Sequence, residues 1–574
     1  MASSAATGAH AGSGELTHRQ ILTILGGLLM GMFLAALDQT IVSTAIRTIA
    51  DQLHGLNVQA WVTTAYLITS TIATPLYGKL SDLYGRKRFF MSAITVFIIG
   101  SALCSFATSM YMLAAFRALQ GIGAGGLFSL ALAIIGDIVP PRERAKYQGY
   151  FMAVFATSSV LGPVIGGFFA NQGHILGITG WRWVFLVNVP IGIAALGVVA
   201  RTLHLEHHRR NHTIDYLGAA ALIVALVPLL TVAEQGRDWG WTSGRSLAAF
   251  GIGAVGIVTF VLAERIAGLD ALIPLTIFRN RAILVAILGS VVVGVAMFGG
   301  MMSLPLYMQI VHGATPMRSG LMMLPMVFGL MVASVVSGQV VSRTGHLRPF
   351  PIIGTVLMVV GLGLLSRITA DTHLWLVMGF MFVLGYGVGN CMQPMILAVQ
   401  SSVAATEIGM ATSAAVFFRQ MGGTLGVAMF LSILFSTVGD NIKGSLSAAA
   451  GTPAFQAALT SAADNTDLLR DPEVRSVVVG LSDPVHHAGN LGIVEKDSSV
   501  LNRLPDALAH PFQVGFAQSM DHVFLIGAVI AAVGVVVFCF MPKVELRQGS
   551  AMAEAARRAA KERDHVPDRG AGVL

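Results

Sequence analysis

Charged residues are scarce in this 574-residue chain: they make up 11% of it, against 55% hydrophobic residues and a mean hydropathy of +0.73. Soluble domains carry roughly 25% charged residues. So few charges cannot cover a water-exposed surface, so lipid must cover most of the protein. Cysteine is scarce too, and Cys104, Cys391 and Cys539 show no paired spacing, which excludes a disulfide framework and a cysteine-based zinc site.

Motifs for nucleotide hydrolysis and for catalysis are also missing. No GxxxxGK[ST] loop indicates ATP hydrolysis, and no nucleophile–base arrangement predicts an enzyme. The histidines at 204–212 lack a metal-ligand spacing. We therefore expect no enzymatic activity, no cofactor and no metal site. The net charge of +7 is better explained by basic loops beside a membrane than by nucleic-acid binding.

Long apolar runs are what the chain has in abundance. About 20 apolar residues cross the hydrocarbon core as a helix, and backbone in lipid must satisfy its own hydrogen bonds, which favours helices. The runs predict about fourteen transmembrane helices. Their predicted limits are 21–46, 58–77, 89–109, 111–136, 149–170, 182–203, 216–234, 247–266, 283–308, 318–341, 350–368, 373–400, 410–437 and 521–541.

Basic residues predict the orientation of these spans. Lysine and arginine concentrate in the loops after the second, fourth and sixth spans, as with Arg86, Arg142 and Arg201, and are nearly missing from the loops after the first and third. Cytoplasmic loops carry the excess of positive charge. We therefore expect a multi-pass protein of the inner (plasma) membrane, surrounded by membrane lipid, with both termini in the cytoplasm.

An internal repeat organises the chain. The loop GKLSDLYGRKRFF after the second span recurs as GQVVSRTGHLRPF 260 residues later, and a glycine stripe in the fourth span recurs 264 residues later. Spans one to six thus correspond to spans nine to fourteen, with spans seven and eight between them. The matched pairs include Gly78 with Gly338, Gly85 with Gly345, Gly121 with Gly385, and Gly125 with Gly389.

The expected fold is an all-α membrane protein with two pseudo-symmetric six-helix bundles and a central two-helix hairpin. Related halves that rock about a central site are a common means of moving a solute across a bilayer. The predicted divisions are a cytoplasmic tail 1–19, an N-terminal bundle 20–203, a linker with two extra helices 204–266, a C-terminal bundle 283–541 that includes a long extracytoplasmic loop 438–520, and a cytoplasmic tail 542–574.

Two charged residues inside apolar runs are candidates for proton coupling. Asp38 lies in the outer half of the first predicted span, and Arg117 lies in the fourth, ahead of the glycine stripe. An intramembrane acid is a functional candidate by default, and an arginine beside it can tune the carboxylate without losing its own proton. The alternatives are a fixed ion pair, an acid at the water boundary, or an arginine that snorkels to the headgroups.

The loop after the second span predicts a gate. Gly78 and Gly85 allow tight turns, while Asp82 can pair with Arg86 at i,i+4 or cap a helix N-terminus. With Lys87, these residues predict a latch that keeps the inside closed. The alternative is a loop whose only duty is positive charge.

The fifth span combines a kink with small residues on both sides of it. Gly162, Pro163, Gly166 and Gly167 lie within SSVLGPVIGGFFA. This pattern favours a helix that bends and slides against a neighbour, and it also suits plain packing.

Polar and methionine residues elsewhere in the spans are candidates for a central substrate cavity. Glutamine and arginine side chains in helices can face such a cavity, and methionine suits an adaptable apolar pocket, although packing is its usual role. The candidates are Gln120, Gln393, Arg419, Gln420, Met301 and Met326.

Several of these stretches resemble the signatures of the major facilitator superfamily. They are LDQTIVSTAI, GKLSDLYGRKR, RALQGIGAGG and GPVIGG, and the added hairpin with WRWVFLVNVPIG resembles the fourteen-span drug/proton antiporter branch of EmrB/QacA type. The resemblance implies alternating access, a coupling role for Asp38 and Arg117, and a gating role for the loop. Ser342 stands where a second-half Asp82 would lie, so only the first-half latch is acidic.

The predicted function is proton-coupled multidrug efflux, with hydrophobic or cationic small molecules and protons as the partners. Two other functions stay open from the sequence. One is a dedicated exporter of a metabolite, lipid or siderophore, and the other is a non-transporting membrane sensor with the same fold.

Overall fold

A computed structural model describes residues 17–53, 60–140, 143–203, 215–268, 270–404, 407–482, 498–544 and 546. Most of the predicted N-terminal tail, the first part of the 204–266 linker and nearly all of the predicted C-terminal tail lie outside these residues.

The described chain is nearly all helical. Short 3-10 helices lie at Gly180–Arg182, Leu275–Arg279, Leu468–Arg470 and Ser498–Arg503, and β1 (His174–Ile175) pairs antiparallel with β2 (Ile178–Thr179). The α-helices are α1 (His18–Gln52), α2 (Ala60–Tyr84), α3 (Arg86–Ser105), α4 (Met110–Ile138), α5 (Arg144–Asn171), α6 (Trp183–Leu186), α7 (Asn188–Thr202), α8 (Tyr216–Trp239), α9 (Gly244–Ala267), α10 (Arg281–Ile310), α11 (Pro316–Met322), α12 (Leu324–Thr344), α13 (Pro349–Leu365), α14 (Leu374–Ser401), α15 (Ile408–Ala450), α16 (Pro453–Asp464), α17 (Pro472–Ser482) and α18 (Asp506–Cys539).

Every predicted span coincides with helix, which confirms the all-α membrane fold. Twelve helical segments of the described chain are long and apolar enough to cross a membrane. The other two predicted spans are α2, whose threonines and serines lower its hydropathy, and α13, a shorter apolar helix. The protein is therefore a multi-pass membrane protein.

Helix limits differ from the apolar runs in several places. The sixth span is divided into α6 and α7, and the tenth into α11 and α12, where Pro325 occupies the first turn of α12. Beyond the thirteenth span, α15 continues to Ala450, and α18 begins at Asp506, ahead of the last apolar run. Hydropathy marks only the lipid-embedded part of a helix, whereas helix-forming residues such as those in SLSAAA extend it into water.

The internal repeat reappears as equivalent contacts between helices. In α4, a methyl group added at Gly121 or Gly125 would overlap the backbone of α2; in α14, one added at Gly385 or Gly389 would overlap α12 in the same way. These glycines therefore let two helix backbones approach closely. The glycines of α4 face the carbonyl groups of Tyr66 and Ser70, and those of α14 face the carbonyl groups of Met326 and Leu330. Met326 and Leu330 follow Tyr66 and Ser70 by 260 residues, the same offset as the repeated loop.

Two bundles and the hairpin meet around α2 and α15. The N-terminal half packs α1 on α5 and α7, and α4 on α2 and α3, while the C-terminal half packs α10 on α15 and α18, and α14 on α12 and α13. The hairpin α8–α9 rests against α2 and α15. Across the junction, α2 contacts α15 and α5 contacts α12.

The segment after the thirteenth span has a small apolar core of its own. Phe455 of α16, Val477 of α17 and Phe512 of α18 are buried together. Arg503 pairs with Asp471 and with Glu473, the latter at 2.6 Å. Partial burial acts to raise the pKa of Asp471, but amide hydrogen bonds and Arg503 outweigh it and hold that pKa below its usual value.

Candidate functional site

Asp38 lies at the centre of a buried polar network. It is on α1 and fully buried. Its Oδ2 accepts a hydrogen bond from Arg117 at 2.5 Å, and its Oδ1 accepts from the side-chain amides of Gln120 at 2.9 Å and Asn188 at 2.8 Å. The structure thus brings together the acid and the cation that the sequence singled out.

Arg117 is fixed from two sides. Its Nη1 also donates to Gln120 Oε1 at 2.7 Å, and its guanidinium carbon lies 4.0 Å from the centre of the Tyr66 ring. An arginine over an aromatic face gains about 0.5–2 kcal/mol. Arg117 is 1% exposed, so its head does not snorkel to the headgroups. Sequence reasoning placed Gln120 in the substrate cavity, whereas its side chain lies in this network.

Asn188 and Ser101 belong to the network and were not found from the sequence. Asn188, at the start of α7, donates through Nδ2 to Asp38 and to Ser101 Oγ at 3.0 Å, and Ser101 donates to the carbonyl of Phe185 at 2.9 Å. The one available signal was a lone amide within the apolar stretch WRWVFLVNVPIG.

The hydrogen bonds around Asp38 match those that a carboxylate accepts. All three contacting groups, Arg117, Gln120 and Asn188, donate to it, and a carboxylate can only accept. A buried carboxylate is stable when it is paired and hydrogen bonded. These three groups therefore offer Asp38 hydrogen-bond donors and no acceptor.

The C-terminal half has apolar residues at the equivalent positions. By the repeat offsets, Met326 corresponds to Tyr66, Met381 to Arg117, and Leu384 to Gln120. Met326, Met381 and Leu384 are buried in the core of the C-terminal half. The structure thus places Met326, a cavity candidate, in packed core.

The end of α2, next to the short loop before α3, contacts the C-terminal half. We call this end of the bundle, which carries residues 78–90, the loop end. Asp82 Oδ2 accepts from the backbone amide of Met410 in the first turn of α15 at 2.7 Å, while Glu407, the N-cap residue, makes no side-chain cap. Asp82 therefore caps a helix of the other half, where a negative charge is favourable.

Arg86 holds the Asp82 carboxylate in place. Its Nη1 lies 2.5 Å from Asp82 Oδ1, and its Nε donates to Asp137 Oδ2 at 2.6 Å. Lys87 donates to the carbonyl of Ala200 at 2.6 Å and ties α3 to the end of α7. The predicted i,i+4 pair and the predicted helix cap are both present in the geometry.

The two glycines predicted to allow tight turns differ in place: Gly85 lies between α2 and α3, whereas Gly78 lies inside α2 and makes no turn, so that prediction is wrong for Gly78. Gly85 has φ of 103°, a conformation that side chains rarely adopt. Gly78 faces Ser413 of α15 so closely that an added methyl group would overlap the serine side chain. The halves can touch at this point only because Gly78 has no side chain.

A second contact between the halves lies at the loop end. Arg144 donates to Gln400 Oε1 of α14 and, at 2.6 Å, to the carbonyl of Gly136. Gln400 Nε2 donates to Thr412 Oγ1 at 3.0 Å and to the carbonyl of Leu132 at 3.3 Å. Arg144 belongs to the basic loop predicted after the fourth span, and no pattern in the sequence indicated Gln400.

The fifth span, α5, packs against the helix that carries Asp38. A methyl group added at Gly162 would overlap Thr40, and one at Gly166 would lie 2.7 Å from the carbonyl of Ile41. Pro163 lies 3.5 Å from the methyl position of Gly320 in α11, across the junction of the halves. Gly167 has open space around it. The motif therefore joins α1, α5 and α11 near the buried acid.

The remaining cavity candidates lie on α10, α14 and α15. Gln420, partly buried on α15, accepts from Thr74 of α2 at 3.1 Å. Arg419 and Met301 are partly buried, and Gln393 is buried with its Oε1 unpaired among the described residues. A cleft of about 340 Å³ at the loop end is lined by residues that include Lys79, Asp82 and Glu407.

Comparison with protein families gives a match over most of the chain. The model of the Major Facilitator Superfamily matches residues 28–427. This range includes both repeated loops and the buried network.

Curated relatives match along nearly the whole length. The Multidrug transporter protein MdtP of Bacillus subtilis is 33% identical over 538 residues, covering 93% of this chain and 95% of the relative. Multidrug resistance protein 3 of Bacillus subtilis is 33% identical, covering 92% and 97%. The Uncharacterized MFS-type transporter Rv1877 of Mycobacterium tuberculosis is 34% identical, covering 91% and 70%.

Solved structures share the fold. The proton:xylose symporter XylE, bound to 6-bromo-6-deoxy-D-glucose, aligns with a TM-score of 0.54 at 15% identity, covering 94% of this chain and all of the other. A bacterial homologue of the human lysosomal transporter Spinster, inward-facing and unoccupied, aligns with a TM-score of 0.52 at 14% identity, covering 93% and 100%.

Proposed function

The chain belongs to the Major Facilitator Superfamily, and we propose that it exports small hydrophobic or cationic molecules in exchange for protons. Two relatives that match over more than nine-tenths of the chain are named a multidrug transporter protein and a multidrug resistance protein, which supports export of several compounds rather than uptake. The relatives are named as transporters, and the chain is a transport protein rather than an enzyme.

The observation that carries the proton coupling is the burial of Asp38 with Arg117. A charged carboxylate without exposed surface is a group that must either stay paired or take up a proton. We assign Asp38 as the proton carrier and Arg117 as its fixed counter-charge. One charge crossing the membrane gains about 2.3 kcal/mol per 100 mV, which is sufficient to drive accumulation against a gradient.

The loop end provides the gate of the proposed cycle. We place it in the cytoplasm, with the described chain termini on the same side, because its loops are rich in lysine and arginine. The Asp82–Met410 and Arg144–Gln400 contacts then belong to the state whose cytoplasmic side is closed. In this proposal the halves are 20–203 and 283–541, the hairpin lies in 204–266, and 438–520 faces the outside of the inner (plasma) membrane.

Transport by purified protein in liposomes tests the proposal. With an imposed pH gradient, we expect the wild type to move several hydrophobic cations, such as ethidium, and to stop when the gradient is collapsed. Asp38→Asn should abolish gradient-driven movement. Asp440→Asn, at a carboxylate that is 87% exposed, is the matched control and should transport normally.

Other outcomes separate the competing functions. Gradient-driven transport of a single metabolite, lipid or siderophore, without the cations, would identify a dedicated exporter. No transport of any compound would favour a sensor, and unchanged gradient-driven transport by Asp38→Asn would exclude Asp38 as the proton carrier.

A further inference from the structure

We infer that Asn188 serves Asp38 in both protonation states, as a positioning residue whose side-chain amide reverses when the proton arrives. This inference rests on the proposed proton coupling at Asp38. It assigns a role to a buried amide that neither the sequence motifs nor the gate accounts for.

The charge on Asp38 sets the orientation of the Asn188 side-chain amide. While Asp38 is charged, Asn188 must turn Nδ2 toward it, because an amide oxygen facing a carboxylate would be repelled. In this orientation Nδ2 donates to Asp38 at 2.8 Å and to Ser101 Oγ at 3.0 Å. The amide oxygen, Oδ1, is buried and has no hydrogen-bond partner among the described residues.

Once protonated, Asp38 needs an acceptor for its new hydroxyl group. Arg117 has only donors and keeps its proton. Gln120 cannot reverse its amide without turning a donor toward Arg117, because its Oε1 accepts from that guanidinium at 2.7 Å. Of the three groups that contact Asp38, Asn188 alone carries an unused acceptor and is free of the guanidinium.

Reversal of the Asn188 amide replaces three hydrogen bonds by two. A half turn of the Asn188 amide places Oδ1 toward Asp38 and Ser101. Oδ1 then accepts from the acid hydroxyl and from Ser101, whose own hydroxyl rotates away from the carbonyl of Phe185, to which it now donates at 2.9 Å. In the first orientation Oδ1 is unpaired. In the second, Nδ2 is unpaired and the carbonyl of Phe185 has lost the Ser101 hydroxyl, so the amide reverses only when the acid hydroxyl needs an acceptor.

The proton balance is simple. A proton from the outer aqueous phase adds to the Asp38 carboxylate, no other covalent bond changes, and the amide reversal exchanges donors for acceptors around it. When the proton leaves, the carboxylate repels Oδ1 and the amide returns. The two orientations of Asn188 therefore follow the charge of Asp38.

Infrared difference spectroscopy of the full-length protein tests this inference. On lowering the pH, wild type should gain a carboxylic acid carbonyl band from Asp38, which Asp38→Asn lacks. In parallel, an asparagine side-chain carbonyl band should shift to lower frequency, because Oδ1 gains hydrogen bonds. That shift should be lost in Asn188→Leu and in Asp38→Asn, and kept in Asn390→Leu, a control at another buried asparagine.

Isotope labelling keeps the test independent of any substitution. Asparagine labelled with ¹³C at the side-chain carbonyl should shift the positive and negative asparagine bands of the difference spectrum. This measurement uses the unsubstituted protein, so it holds even if Asn188→Leu does not fold. A carboxylic acid band without the asparagine shift would overturn the role of Asn188 and leave the proposed coupling intact. Absence of the carboxylic acid band would overturn the coupling at Asp38 and this inference with it.

Discussion

At the scale of single residues, the buried network depends on the shape of its groups as much as on their charges. One nitrogen of Arg117 serves both Asp38 and Gln120, while the flat guanidinium lies over Tyr66. A lysine ammonium has the same charge but neither the planar fork nor the stacking surface.

Replacing Arg117 by lysine should therefore separate charge from geometry. We expect Arg117→Lys to insert and fold, because a cation still neutralises Asp38, but to transport about tenfold more slowly or worse, since a charged hydrogen bond contributes about 1.5–3 kcal/mol. Gradient-driven transport in liposomes is the measurement. Arg419→Lys, a matched exchange on α15, should keep its coupling to the gradient, and an unimpaired Arg117→Lys would contradict the role given to geometry.

The sequence predicted the two charged members of this network but not its neutral ones. An acid and an arginine in apolar runs are conspicuous because lipid tolerates them poorly. Asn188, Ser101 and Tyr66 are ordinary residues of membrane helices. Their role arises from the convergence of α2, α3 and α7 on Asp38, which no spacing along the chain reveals.

At the scale of helices, α2 and α15 form the contact on which the proposed gate depends. Gly78 of α2 lies directly against Ser413 of α15, and Asp82, one turn further, caps the start of α15. A small residue lets the backbones approach, and the carboxylate fixes the register between them.

Adding a methyl group at this contact should weaken it, and removing the opposing side chain should restore it. Gly78→Ala overpacks the contact, at a cost of about 1–3 kcal/mol, and we expect slower transport. Adding Ser413→Gly to Gly78→Ala removes the overlapping atoms and should recover transport. Ser413→Gly alone is the control, and failure of the double variant to recover would show that Gly78 acts through its backbone instead.

Helices were the part of the fold most readily predicted. All the apolar runs became helices, since lipid leaves the backbone little alternative. The ends were less predictable: α15 and α18 continue beyond the lipid-embedded part, because helix formation in 438–520 depends on a small apolar core that hydropathy does not detect.

At the scale of the whole molecule, two separate contacts join the halves at the loop end. If the halves move as rigid bodies, the Asp82–Met410 and Arg144–Gln400 contacts form and break together. Their free energies then act on one equilibrium between closed and open forms.

The effects of Asp82→Ala and Gln400→Ala on the free energy between the closed and open forms should consequently be additive. Each loss, at about 1–2 kcal/mol, shifts the population about 5- to 30-fold toward the open form, and the double variant should show the product of the two shifts. Spin labels at Glu143→Cys and Ala404→Cys, both exposed, are introduced in a Cys539→Ser background. Double electron–electron resonance then gives the distribution of distances between the two labels. A double variant no more open than the stronger single variant would mean that the contacts open independently.

The repeat was the feature that allowed prediction at this scale. Constant offsets between glycines indicated two related halves, and the contacts of Gly121 and Gly385 confirm them. Of the two contacts between the halves, the sequence predicted a helix cap by Asp82 but not the Arg144–Gln400 contact. Gln400 is a neutral residue in an apolar helix with no partner near it in the chain.

The Asp38–Arg117 network lies in one half only, which has a consequence for how such a protein can adapt. Met326, Met381 and Leu384 replace the charged network in the C-terminal half. With Asp38 as the proposed proton carrier, mutations in that half can change which compounds are bound and leave the proposed coupling intact. Under selection by an unfamiliar compound, heritable changes that broaden its range should accumulate in that half, while the half with Asp38 stays nearly invariant.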